Sequence, residues 1–327
     1  MEQLLVQAYE SAYDRGWTDG LPIIPATPQA MQRFVAASGR AADDLIGIVP
    51  PRKGPATIEA VAINAIMAGC RPEYMPVIIA ALEGLLDPRF PLEGMQGTTN
   101  AMAPLLLING PVRKKLDINS GISCLGPGWR ANATIGRAIR LILNNVGGAL
   151  PGVYSKSSFS SPMRYSFICG ENEEESRWTP FHVDLGFRPG DSTVTVFRAI
   201  NFCSIPGGDG EDPDEVLRHI ATHMPPVFAG GDGAMLLLGV NHAHSLHEAG
   251  LSKRDIQQRV WEFARLPNSY FAKSFADRER HHGRGDAETV WRARTPDEIY
   301  VVVAGGPGPQ DLYIGAGSPQ TRVIRGI

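Results

Sequence analysis

Three short apolar runs constrain this chain more than anything else in it. Leu105-Leu106-Leu107-Ile108, Met235-Leu236-Leu237-Leu238 and Tyr300-Val301-Val302-Val303 have no polar face, the pattern of strands buried on both sides. Each opens at once into turn-forming or polar residues: Asn109-Gly110-Pro111, Gly239-Val240-Asn241-His242, and Ala304-Gly305-Gly306-Pro307-Gly308. Strands covered on both faces need flanking helices. The expected fold is therefore α/β, a predominantly parallel or mixed sheet between helices with long glycine- and proline-rich loops, and its site is expected beyond the strand carboxyl ends.

Helical patterns fill the intervals. Leu4, Leu5, Ala8 and Ala12 recur at helical spacing until Gly16-Trp17-Thr18-Asp19-Gly20-Leu21-Pro22 breaks the pattern. Thr27-Pro28 reads as the N-cap and first residue of a helix ending near Gly39. Another helix starts after Gly54-Pro55, with Thr57 and Glu59 in its first turn, and stops at Gly69; the next, over 76–86, is nearly all apolar and should be buried. Helices are also expected over 131–143, from Asp212-Pro213-Asp214 to about His223, and over 253–265, with strands at 165–169 and 192–200. Residues 278–286 read as a charged, exposed connection before the last strand, 300–303.

A hydrophobic content of 43% is enough for a large core. The composition changes at 151–189, from Ser-rich to acidic to aromatic and basic. That change divides the chain into a helix-rich α/β half, 1–150, holding a glycine-loop anion site, and a half, 151–327, holding an acidic-aromatic loop and the C-terminal strands, unless both form one continuous domain. With 31 Lys and Arg against 34 Asp and Glu, no basic footprint exists for a nucleic-acid backbone, and nucleic acid is not an expected partner. No basic leader precedes an apolar run, and no stretch is long enough for a membrane span, so the expected location is the cytoplasm and no membrane is involved. The four cysteines include no Cys-x-x-Cys pair, which makes reduced thiols the expectation.

The stretch Gly126-Pro127-Gly128-Trp129-Arg130-Ala131-Asn132-Ala133-Thr134-Ile135-Gly136-Arg137-Ala138 reads as a loop running into a helix whose free N–H groups and positive dipole suit an anion. Arg130 adds a two-pronged donor. No Gly-Lys-Ser/Thr follows and no third glycine stands in register, so no nucleotide cofactor is expected. The expected substrate-binding set is Asp19, Gly128, Arg130, Asn132 and Arg137.

Reactive groups are expected from four residues. Cys70 stands beside Arg71 at a helix end, where the arginine lowers a thiol pKa and the helix dipole raises it. Cys124 is a lesser thiol candidate, and Cys169 and Cys203 read as core. Glu173 and His182 fall in Glu171-Asn172-Glu173-Glu174-Glu175-Ser176-Arg177-Trp178-Thr179-Pro180-Phe181-His182, where interleaved aromatics imply a packed, pocket-lining loop. His242, followed by His244 and His247, lies in the loop expected after the second strand. His219 and His223 read as a half-exposed helix face.

Four segments taken together resemble a known family: Trp17-Thr18-Asp19-Gly20-Leu21-Pro22; Ala62-Ile63-Asn64-Ala65-Ile66-Met67-Ala68-Gly69-Cys70-Arg71-Pro72-Glu73-Tyr74; the 126–137 stretch; and Glu171-Asn172-Glu173-Glu174. They are similar to the bacterial UGSC-type (seleno)proteins, over most of the chain. The resemblance implies thiol or selenol redox chemistry and names no substrate. This chain has no Cys-Gly-Ser-Cys or equivalent, which argues against a dithiol mechanism.

The expected function is an enzyme acting on a small anionic organic molecule, with thiol-dependent redox or lyase chemistry through Cys70. One alternative is a metal-assisted hydrolase or lyase using His242, His244 and His182. The other is a non-catalytic binding or scaffolding subunit of a two-component enzyme. A homo-oligomer or a separate partner subunit is expected in either case.

Overall fold

The computed structural model describes residues 2–207, 212–224 and 233–326. Its first part is helical: α1 (Glu2–Asp14), α2 (Pro28–Ser38), α3 (Ile58–Ala68) and α4 (Met75–Leu85). The capping residues act as their types require. Thr27 and Thr57 accept hydrogen bonds from Ala30 N and Ala60 N, and Gly39 and Gly69 end α2 and α3 in the left-handed region. In α4 every residue except Glu83 is buried, so this helix has no solvent face to lose and is held by packing.

There follow β1 (Ala103–Asn109), α5 (Arg130–Asn145), β2 (Ile168–Gly170) and β3 (Thr193–Ile205). The last part contains α6 (Pro213–His223), β4 (Ala234–Leu238), α7 (Val240–Glu248), α8 (Lys253–Phe263), α9 (Lys273–His281), β5 (Ile299–Val303) and β6 (Asp311–Val323).

Six strands form one sheet in the order β2-β1-β3-β6-β4-β5. The outer pairs, β1 with β2 and β4 with β5, are parallel, and the three inner contacts are antiparallel. The sheet is therefore mixed, and its order contains one three-strand unit twice, 2-1-3 and then 6-4-5 in reverse. Gly110 and Gly239 hold the same place in the two units. A Cβ there would fall 2.1 Å from Asp191 O or 2.3 Å from Gln310 O, so no side chain fits where each short strand exits beside the start of a long one. Strand β1 precedes residue 150 and the other five follow it.

Alternation along the strands builds three apolar clusters. Leu105 and Leu107 of β1 join Cys169, Phe197, Leu237, Val302 and Ile314, so one face of all six strands packs into a single interior. Leu106 and Ile108 point the other way, against α2, α3, α4 and α5. Leu236, Leu238, Val301 and Val303 pack in the same manner against α6, α7 and α8. The sheet curls until its two edges meet: Asn172, just beyond β2, donates from its backbone N to Val303 O (2.7 Å) and from Nδ2 to Gly305 O (3.1 Å).

Four expectations change. Strand β5 is not the last; the long β6 follows it and lies at the centre of the sheet. The 165–169 strand shortens to Ile168–Gly170, because a turn at Pro162–Arg164 precedes it. Residues after β4 form α7 rather than a loop, their first N–H groups ordered by Asp311, whose Oδ1 accepts from Gly239 N (2.9 Å). The charged 278–286 connection contains the end of α9 and a buried ion pair, Glu279 with Arg284 at 2.7 Å. Among the described residues no helix is long and apolar enough to cross a membrane.

Candidate functional site

The polar groups expected to bind an anion at the start of α5 are engaged within the protein. Arg130 donates from Nε to Gly69 O (2.9 Å) and from Nη2 to Cys70 O (3.3 Å), closing the carboxyl end of α3. Asn132 is buried. Its Nδ2 donates to Asn119 O, Cys124 O and Ile168 O, and its Oδ1 accepts from Asn119 N, fastening the 119–124 turn to β2. Arg137 holds Asp19 through two hydrogen bonds of 2.8 Å, and the same guanidinium caps the carbonyls of Leu21 and Pro22. Gly128 sits in an exposed turn at φ +123°.

The expected reactive residues also lie apart. Burial pushes the Cys70 thiol up to about 12, against the lowering effect of its bond to Thr134 O (3.3 Å) and of Arg130 and Arg137. Burial so strong favours the protonated thiol at neutral pH over the thiolate that nucleophilic chemistry needs. Glu173 accepts from Gly110 N (2.7 Å) and Asn109 Nδ2 (3.0 Å) and pairs with Arg113 at 2.8 Å. His182 is fully enclosed, and among the described residues neither ring nitrogen has a hydrogen-bond partner. His242 donates from Nδ1 to Asp311 Oδ2 (2.7 Å), and His244 donates from Nε2 to Glu175 O (2.9 Å). His182, His242 and His244 are not gathered round one point, and among the described residues no three His, Cys, Asp or Glu side chains form a metal-ligand group.

Beside Glu173 lies a carboxyl of different character. Glu171 is enclosed, and burial raises it to about 7, although Lys253 and hydrogen bonds from Phe181 N and Asn109 Nδ2 oppose the rise. The loop bearing both glutamates is thus a packed seam between the sheet edges.

Open space lies elsewhere. A cavity of about 400 Å³ borders the first turns of α5, from Asn132 to Arg137, with Cys124 and Gly126 on its far wall. A second, of about 470 Å³, borders the next turns at Arg140 and Asn144. Pro162 and Tyr165 line both, so the two form one groove along a face of α5. Arg140 is only 8% exposed, and its single hydrogen bond among the described residues runs from Nε to Arg164 O (3.0 Å). Among the described residues no carboxylate is hydrogen-bonded to it. Burial, reinforced by the neighbouring Arg164 cation, pushes its pKa down to about 9 against the opposing charge of Asp19, which lines the same cavity and is itself held by Arg137. Among the described residues Arg164 donates to Met102 O, Ser155 Oγ and Asn100 O and has no acidic partner.

A third cavity, about 430 Å³, lies beyond β4 and β5. Gly239, the Ala304–Gly308 turn, Asp311 and Cys124 line it. Two of the three strand exits seen in the sequence therefore share a cavity with the 123–126 turn, while the exit of β1 is filled by Glu171 and Glu173.

Arg140, Arg164 and Asp311 carry no motif. For Arg140 one signal exists: a cation within Ala138-Ile139-Arg140-Leu141-Ile142, a run that is otherwise apolar. No protein-family model matches this chain, and no curated protein matches it either.

Proposed function

We propose that this chain is an enzyme whose substrate is a small organic anion bound in the groove along α5, with Arg140 as its charge partner. One observation carries the reading: a buried guanidinium that no carboxylate among the described residues hydrogen-bonds lines a 470 Å³ cavity, whose one acidic lining residue, Asp19, is already bonded to Arg137. A buried cation is costly unless something opposite in charge meets it, and a bound carboxylate supplies that charge together with paired hydrogen bonds. Leu150, Pro151, Phe159 and Tyr165 line the cavity beside Ser160 and Ser161, a mixed lining that favours an anion with a hydrocarbon body over inorganic phosphate. Reactive chemistry is available on the same groove, since Cys124 lines its other end.

The test is titration calorimetry and thermal melting with a panel of short-chain and aromatic carboxylates and inorganic phosphate, on the wild type and Arg140→Met. The expected result is binding of organic carboxylates by the wild type, absent in the variant. Equal responses from both proteins would remove Arg140 from the site. Binding without turnover of any bound anion would leave a carrier or a partner-dependent subunit.

A further inference from the structure

Helix α5 carries three asparagines, and two of them are spent inside the protein. Asn132 fastens the 119–124 turn to β2, and Asn145 donates from Nδ2 to Trp17 O (2.9 Å) and Asn64 Oδ1 (2.7 Å). Asn144 differs from both. Its backbone O accepts from Gly148 N (2.9 Å), but among the described residues its side-chain amide makes no hydrogen bond. The residue is only 9% exposed, yet neither amide atom is sealed from solvent. The space they reach is the 470 Å³ cavity that Asn144 lines.

Arg140 lines the same cavity one helical turn earlier. Residues four apart on a helix share a face and stand about 6 Å apart along its axis. Only Nε of Arg140 is engaged, to Arg164 O, and its Nη1 and Nη2 also keep access to the cavity. The two side chains therefore offer a ligand unlike partners. The Nη groups only donate, and they suit a carboxylate. A primary amide both donates and accepts, so it suits a neutral group that does the same, of which a hydroxyl is the smallest. A second carboxylate would set its own lone pairs against the amide oxygen. Leu150, Pro151 and Phe159 add apolar contact to the same lining.

We propose that the groove along α5 selects hydroxy acids, organic acids whose hydroxyl lies at the end of the hydrocarbon body remote from the carboxylate, with Arg140 holding the carboxylate and Asn144 the hydroxyl. This inference rests on the anion reading of Arg140 and narrows it from organic anions in general to that class. Asn144 takes no part in bond making; it sets specificity. A ligand with a methyl group in place of the hydroxyl strips water from the amide and returns no hydrogen bond, so the site discriminates against it.

The experiment is titration calorimetry on the full chain with matched acids: para-hydroxybenzoate against para-methylbenzoate, and ω-hydroxyhexanoate against heptanoate. Terephthalate and adipate are the doubly charged counterparts. The wild type is expected to bind each hydroxy acid about tenfold more tightly than its methyl partner, and more tightly than the dicarboxylate. In Asn144→Leu the two members of a pair should bind with the same Kd, whereas Arg140→Met should bind neither. Asn144→Ala, a plain truncation that a helix accepts, gives the same comparison if the leucine is not accommodated. Equal Kd values in the wild type, or a hydroxyl preference that survives in either Asn144 variant, would overturn the proposal. Tighter binding of the dicarboxylates would also overturn it and would assign the second group to Arg164. These failures leave the anion site standing; only the failure of every acid to bind the wild type overturns that reading as well.

Discussion

Arg137 and Arg140 stand three residues apart on one side of α5, yet Asp19 grips the first through two hydrogen bonds while no carboxylate among the described residues binds the second. On the proposed reading, the pair separates a structural arginine from a ligand-binding one within a single helical turn. The remaining predictions follow from how charges and thiols are enclosed elsewhere in the fold.

Replacing Arg140 by Met removes a buried charge that only the nearby Asp19, already bonded to Arg137, offsets, and keeps most of the side-chain volume. The ligand-free variant is expected to melt no lower than the wild type, because an unpaired interior cation opposes folding. With a carboxylate at a hundredfold excess over its Kd, the wild type should gain about 2.7 kcal/mol and the variant nothing. A variant that melts much lower without ligand would make Arg140 a packing residue instead.

Asp19→Asn should destabilise the fold by about 2 kcal/mol. That is less than for a fully enclosed pair, because Arg137 keeps its contacts with the Leu21 and Pro22 carbonyls. Burial pulls the Asp19 pKa up, but the bond and charge of Arg137 bring it below its ordinary 3.8. The unfolded chain therefore takes up this proton first as pH falls. The contribution is complete above 3.8 and disappears on acidification through the lowered folded value, so urea unfolding of the variant should lack this acid-side loss.

Glu171 has the opposite sign. Its carboxyl rises from 4.5 to about 7 on folding, so between these values the folded state holds a proton that the unfolded chain releases. Stability should decline as pH rises from 4.5 to 7 and level off above, by on the order of 3 kcal/mol. Glu171→Gln keeps an oxygen to accept from Phe181 N and should flatten this slope in thermal melts; an unchanged slope would assign it to another group.

Cys70 should resist iodoacetamide in the folded protein at neutral pH and react once the chain is unfolded. Cys70→Ala is expected to cost roughly 1 kcal/mol of packing and to leave carboxylate binding intact. Rapid alkylation of native Cys70 would contradict its enclosure against Thr134.

Much of the helical part is legible in the chain. Thr27, Thr57, Gly39 and Gly69 mark the ends of α2 and α3 because capping depends on the local backbone and the first few neighbours. The apolar runs of β1, β4 and β5 are equally plain. Strand β6 is not, although it is central: Gly315, Gly317 and Pro319 interrupt any alternation, and the strand is held by pairing with β3 on one side and β4 on the other. The local reading of 278–286 as exposed holds except at Glu279 and Arg284, which neutralise each other out of solvent.

By itself, the sequence determined where helices begin and end, which strands are buried on both faces, and that the region around α5 is rich in arginine. Only the tertiary structure decided which of those arginines a carboxylate grips and which strand exits meet. Capping and periodicity act over a turn or two of chain. Charge compensation depends on partners such as Asp19 for Arg137, which become neighbours only when the chain folds and α5 packs across the sheet.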